Sequence, residues 1–143
     1  MSLQRLISRL RAFDVEKELL DAVKQNEDII RDLNTEDQLF SKGIDSRGNQ
    51  LPLPYAPMTI AIKQQKGQPT NRITLRDEGD FHKGFFVRAD KFPIEIDSTD
   101  GKRSKLVAEW GEDIFGLTES NLFEAGKTIK SDFQDLQRKA LGI

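Results

Sequence analysis

Residues 81–97 read FHKGFFVRADKFPIEID. Phe81, Phe85, Val87 and Ala89 alternate with polar or small residues, with Phe86 as the exception, and Phe92, Ile94 and Ile96 alternate with Pro93, Glu95 and Asp97. Successive side chains on a strand point to opposite faces, so this period of two predicts two strands. Ala89, Asp90 and Lys91 can join them as a hairpin. Pro93 has no amide hydrogen to give, which puts its strand at an edge. Residues 97–101 read as the turn that follows.

Outward from this centre the period changes. Towards the C-terminus, residues 104–110 make two helical turns before Gly111, and Ile114, Phe115 and Leu117 form an apolar knot around Gly116. Thr118 can accept a hydrogen bond from the amides after it, and Glu119 suits the positive end of a helix. Leu122, Ala125, Ile129, Phe133, Leu136 and Ala140 then recur at spacings of 3 and 4, predicting a long amphipathic helix that ends near Gly142. Towards the N-terminus, Leu3, Leu6, Ile7, Leu10 and Phe13 show the same spacing. Asp14 either caps a new segment or lies inside a continuous one. Leu19, Leu20, Val23, Ile29, Ile30 and Leu33 continue the stripe, opposite Glu16, Lys17, Lys24, Asp28 and Arg31. Asn34 is expected to end this helix, and Thr35 to cap a short turn to Phe40.

Between these regions lie breaks. Residues 43–57 carry Gly43, Gly48, Pro52, Pro54 and Pro57 and read as a loop. In residues 58–66, Met58, Ile60 and Ile62 alternate like a strand, yet Pro57 suits the first position of a helix. The reading favours a short helix. Residues 67–71 are a second polar break. The expected architecture is α+β, a small antiparallel β-sheet flanked by long N-terminal and C-terminal amphipathic helices, in a single domain over residues 1–143.

Composition narrows the function classes. The chain has 143 residues, 36% hydrophobic and 32% charged, which is a globular balance. Its net charge is −2, with 22 basic and 24 acidic residues interspersed, so no basic face is marked out for nucleic acid. The absence of cysteine excludes disulfides and thiolate metal sites. Arg5, Arg9 and Arg11 interrupt the apolar residues of the N-terminus, so no signal peptide is expected. No window approaches the roughly 18–20 apolar residues of a membrane span. A soluble protein is expected, without contact to membrane.

Motifs for chemistry are few. Glu78, Asp80 and His82 would share one face of an extended segment beside Asp77, a set that a hard cation could use. A charged turn leading into a strand is the favoured reading. His82 is the single histidine, so a triad would have to use it, and no G-x-S-x-G elbow accompanies it. From Asp45, the calcium-loop pattern fails at Arg47, Gln50 and Ala56. Gly101, Lys102, Arg103, Ser104 and Lys105 lack the upstream glycine of a phosphate loop, because Ile96 stands there. Trp110 and Tyr55 are candidate partner contacts, with core packing as the alternative for Trp110.

The order of these features resembles the virion-morphogenesis or tail-completion proteins of tailed phages, which are small head–tail connector components. Residues 43–55 match their loop with a glycine and an aromatic, ending at Tyr55. Thr59 and Lys63 match a T-x-x-x-K segment. Leu75, Asp77, Gly79 and Phe81 match an L-x-D-T-G-x-L turn, and Gly116, Leu117, Thr118 and Leu122 match the G-L-S/T-x-x-D/E-L start of a late helix. The chain departs from the pattern at Glu78, Phe81 and Asn121.

The resemblance implies a non-enzymatic structural protein of the virion, in the neck, present in host cytoplasm during assembly. It would use no cofactor and no catalytic or metal-binding residue. Its partners would be other virion proteins, namely a portal, adaptor or tail-tube ring, and it would form a homo-oligomeric ring. Asp77 and Gly79 are then a structural turn, the glycine supplying positive φ and the aspartate bonding amides two residues on. Tyr55, Trp110, Lys102 and Arg103 are the possible partner contacts. The alternative is a small nucleic-acid-binding protein of a phage or mobile element, using Lys102, Arg103, Lys105 and Arg88. A metal-dependent hydrolase built on Asp77, Asp80 and His82 is a third reading.

Overall fold

The computed structural model describes residues 2–143. The chain is α+β. Helix α1 spans Leu3–Ala12, capped by Ser2 Oγ on the Arg5 amide. Asp14 does cap a new helix, because its carboxylate accepts the Lys17 amide and α2 runs over Val15–Gln25. Asn26 is a second break before α3, Glu27–Asp32. Its buried side chain donates to the Ala22 carbonyl and to Asp132 Oδ2, at 2.8 and 2.7 Å. The N-terminal helical region that flanks the sheet is therefore divided at Asp14 and at Asn26 into successive helices.

Asn34 does not end that region, and Thr35 caps no new turn. The backbone widens instead into a π-helix over Leu33–Lys42, which closes at Gly43 in the left-handed region at φ +64°. A Cβ at Gly43 would stand 2.8 Å from Arg72 Cβ and 3.0 Å from the Ile73 carbonyl oxygen. Only glycine permits that close approach and that φ together.

After the loop, α4 covers Pro57–Gln65 with proline in its first turn, as expected. Phe81 departs from the strand expectation. Gly79 at φ +93° starts a short helix α5, Asp80–Lys83, and places both Phe81 and His82 in it. Strands β1, Phe85–Arg88, and β2, Glu95–Ser98, pair antiparallel with Val87 opposite Ile96. Asp97 thus lies in β2 and not in the turn after it, and Pro93 lies in the connection before β2. Glu27 Oε1 accepts the Val87 amide at 3.2 Å, so α3 is tied to β1.

Helix α6 spans Arg103–Trp110, and a 3₁₀ turn follows at Glu112–Ile114. Helix α7 runs over Glu119–Leu141, capped by Thr118 Oγ1 on the Asn121 amide and closed by Gly142.

Two buried clusters form the interior. The first gathers Leu39, Leu51, Ile73, Phe81, Phe85 and Ile114. Its rings meet edge to face, Phe81 to Phe85 at 5.0 Å, with Phe115 5.2 Å from Phe85. Such pairs add about 0.5–1.5 kcal/mol each beyond area burial. The second cluster gathers Val23, Ile30, Ala89 and Ala125 between α2, α3 and α7, and Ile96 packs against both.

Candidate functional site

The turn that carries the resemblance lines one cleft of about 380 Å³. Thr59 and Lys63 reach it from α4, Leu75, Asp77, Gly79 and Phe81 from the turn and α5, and Lys102 and Lys105 from the start of α6. Residues scattered over the sequence thus meet at one place. Lys63 is 8% exposed, and its Nζ lies 3.4 Å from the Arg76 carbonyl and 4.9 Å from the centre of the Tyr55 ring. A buried ammonium needs such partners, because leaving water costs it several kcal/mol. Tyr55 Oη accepts the Thr74 amide at 3.1 Å, so this residue fastens the loop to the turn.

Asp77 does not bond an amide two residues on. Its carboxylate accepts from Lys66 Nζ at 2.6 Å, and its carbonyl accepts from Gln68 Nε2. The Lys66 hydrogen bond holds the Asp77 carboxyl below its usual range against the opposing effect of burial. The positive φ that was expected of Gly79 is present.

Asp80 and His82 are helical, so the extended face proposed for Glu78, Asp80 and His82 does not form. His82 is 5% exposed, with Nε2 2.9 Å from the Thr74 carbonyl oxygen. That contact requires the proton on Nε2, and Nδ1 is buried without a hydrogen-bond partner. Burial, reinforced by nearby Arg76 and opposed by the Thr74 bond, pushes the imidazole down to about 4. Among the described residues, no three His, Asp or Glu side chains stand together as metal ligands would. In the 45–49 turn, Asp45 Oδ1 accepts the Arg47 and Asn49 amides, as a polar turn requires.

The basic residues named for partner contact are placed differently from one another. Arg103 bonds Asp97 and reaches Glu112 at 3.5 Å, and its guanidinium lies over the Phe115 ring. Burial pushes the Asp97 carboxyl up, but the Arg103 bond and the Ser98 amide outweigh it and hold it low. Arg88 pairs with Glu95 at 2.8 Å. Lys102 and Lys105 are exposed on the rim of the first cleft. Trp110 packs against the first buried cluster and is partly exposed.

A second cleft, of about 620 Å³, opens between β2 and the first half of α7. Val23, Ile30 and Ala125 form its floor, while Leu122 and Gly126 stand on its α7 side and Glu95, Asp97, Arg103 and Glu112 on the other. Sequence reasoning did not find this cleft. Leu122 lies on the apolar stripe of α7, yet it is 58% exposed.

A buried amide network was also missed. Asn34 Nδ2 donates to the Ile114 carbonyl while its Oδ1 accepts the Gly116 amide, at 3.0 and 2.8 Å. Gln38 Nε2 donates to the Gly116 carbonyl while its Oε1 accepts the Thr118 amide, both at 2.9 Å. Asn121 Nδ2 is within reach of Gln38 Oε1, Asp37 Oδ2 and the Leu33 carbonyl. Asn34 and Gln38 therefore grip the Gly116–Leu117–Thr118 segment that opens α7. Their spacing of four residues, opposite a glycine knot, was the available signal.

Compared with known protein families, with curated proteins and with solved structures, the chain matches none.

Proposed function

We propose that this chain is a structural protein of the tailed-phage virion, acting in head–tail joining or tail completion through protein–protein contacts. It docks on a portal, adaptor or tail-tube ring, in several copies. The observation that carries this reading is the apolar surface left uncovered. Leu3, Met58, Leu122 and Phe123 are 72%, 76%, 58% and 67% exposed, on α1, α4 and the start of α7. Scattered apolar residues are ordinary on a surface, but here one of them, Leu122, lines an apolar cleft with Phe123 next to it in the chain, and such patches mark sites of protein contact. The ordered motifs support the same reading. The T-x-x-x-K segment and the turn meet around the first cleft, Tyr55 at the end of the loop motif accepts the Thr74 amide beside them, and the fourth motif is the segment held by Asn34 and Gln38.

The charge arrangement favours protein contact over phosphate contact. Arg88 and Arg103 already face carboxylates, which leaves Lys102 and Lys105 as the open cations of the proposed basic set. No helix among the described residues is long and apolar enough to cross a membrane. Mass spectrometry of purified particles tests the proposal. The protein should be present in mature virions at a fixed stoichiometry to the portal, and its absence would refute the assignment.

A further inference from the structure

We propose that the chain self-associates head to tail, with α1 of one copy seated in the cleft between α7 and β2 of the next. The inference rests on the assembly reading above and specifies its interface. Helix α1 carries an apolar edge that its own fold leaves open. None of its residues is buried, and Leu3 and Leu10 are 72% and 52% exposed. It is held on α7 by Phe13 against Phe133 at 6.3 Å and by Arg9 on the Leu141 carbonyl, with Leu6 and Ile7 half-buried. Those anchors lie on α7 beyond the cleft, whose α7 wall runs from Leu122 to Ile129. The helix therefore does not fill the cleft of its own copy.

Shape and charge match the two surfaces. Leu3 and Leu10 are two helical turns apart, as are Leu122 and Ile129, so both edges repeat over about 10 Å. Helix α1 holds Arg5, Arg9 and Arg11 and no carboxylate. The cleft rim holds Glu95, Asp97 and Glu112 against Arg103. Asp97 is taken by Arg103, which also reaches Glu112 at 3.5 Å, and Glu95 pairs with Arg88 at 2.8 Å; the three carboxylates outnumber the two guanidiniums by one, and the Glu95 and Glu112 side chains remain 54% and 69% exposed. The basic helix thus meets an acidic rim over an apolar floor.

Gly126 supports the same contact. It lies in mid-helix on the cleft wall, where glycine is the poorest residue after proline. A Cβ built there meets nothing within 4 Å, so the chain's own packing does not require a glycine. A second backbone approaching closely would require one. The two surfaces are different patches of one molecule, so the contact is heterologous and closes into a ring or propagates.

Sedimentation equilibrium of the full chain tests this. The wild type should gain mass with concentration. Leu10→Glu on the exposed edge of α1 and Gly126→Met in the cleft should each weaken association about tenfold or more, equivalent to about 1.4 kcal/mol. Circular dichroism checks that both remain folded, and Leu122→Glu on the exposed lip is a second cleft variant. An equal mixture of Leu10→Glu and Gly126→Met should form a dimer and stop there, because each supplies the surface the other lacks. A wild type that stays monomeric, variants that associate like wild type, or a mixture that stays monomeric would each overturn the interface. A monomer that is still found in virions would leave the virion reading standing. An assembling protein missing from virions would sink that reading alone.

Discussion

His82 is held where a charged imidazole cannot be hydrated. Its folded pKa is about 4, against about 6.5 unfolded. Between those values the unfolded chain binds a proton that the folded chain does not, so stability rises with pH there. The contribution is complete above about pH 6.5 and is lost as pH falls towards 4, with a size of about 3 kcal/mol. Urea titrations across that window should show the loss, and His82→Gln, whose amide can still donate to the Thr74 carbonyl, should remove most of the slope. Equal slopes in the two proteins would disprove the assignment. Asn121 gives a second test at this scale. Its amide nitrogen faces three acceptors, and a carboxylate in its place would face them with no donor. Asn121→Asp should therefore cost about 2–3 kcal/mol at neutral pH, read as a lower urea midpoint. An unchanged midpoint would mean that the network rearranges freely.

Helix α7 and the π-helix show what a sequence pattern can and cannot carry at the scale of an element. Both ends of α7 were legible, because Thr118 and Gly142 act through local geometry that needs no tertiary partner. The continuation past Asn34 was not. Asparagine favours caps and turns over helix interiors, so a stop was the local expectation. Tertiary bonds to Ile114 and Gly116 reverse it by satisfying the amide in place, and a widened helix presents Asn34 and Gln38 to that backbone. The Phe81 strand failed for a similar reason, since alternation over so few residues also fits one helical turn started by a glycine with positive φ. Gly79 takes the positive φ expected of it, whereas the partner that Asp77 takes, Lys66, lies eleven residues away and leaves no local trace. Within α7, Gly126 is costly to the isolated chain. Gly126→Ala should raise stability by about 0.5–1 kcal/mol, since the methyl enters open space and restricts the unfolded chain. Thermal melts at a concentration too low for self-association would register it, and a lower melting temperature would show that the glycine serves the folded monomer after all.

At the scale of the whole molecule the question is whether two apolar clusters make one folding unit. Helix α7 belongs to the second cluster, and the single tryptophan, Trp110, packs on the first. Ile96 on β2 touches both, and its strand is paired with β1, which supplies Phe85 to one cluster and Val87 to the other. The Asn34 and Gln38 side chains add a second link, because the segment they hold runs from Ile114 in the first cluster to Leu117 beside the second. With two such links, losing one cluster exposes apolar surface and buried amides of the other, so partial unfolding is costly. Tryptophan fluorescence and far-ultraviolet circular dichroism should therefore report the same urea midpoint, the first probe reading one cluster and the second dominated by the helices. Ile96→Ala should move both midpoints together by about 2 kcal/mol, the low end for a truncated isoleucine because this one is only half-buried. If the fluorescence transition separated from the circular dichroism transition in the wild type, the chain would be two units and the expectation of one domain would fail. If separation arose only in the variant, Ile96 itself would be the link that makes the two clusters melt as one.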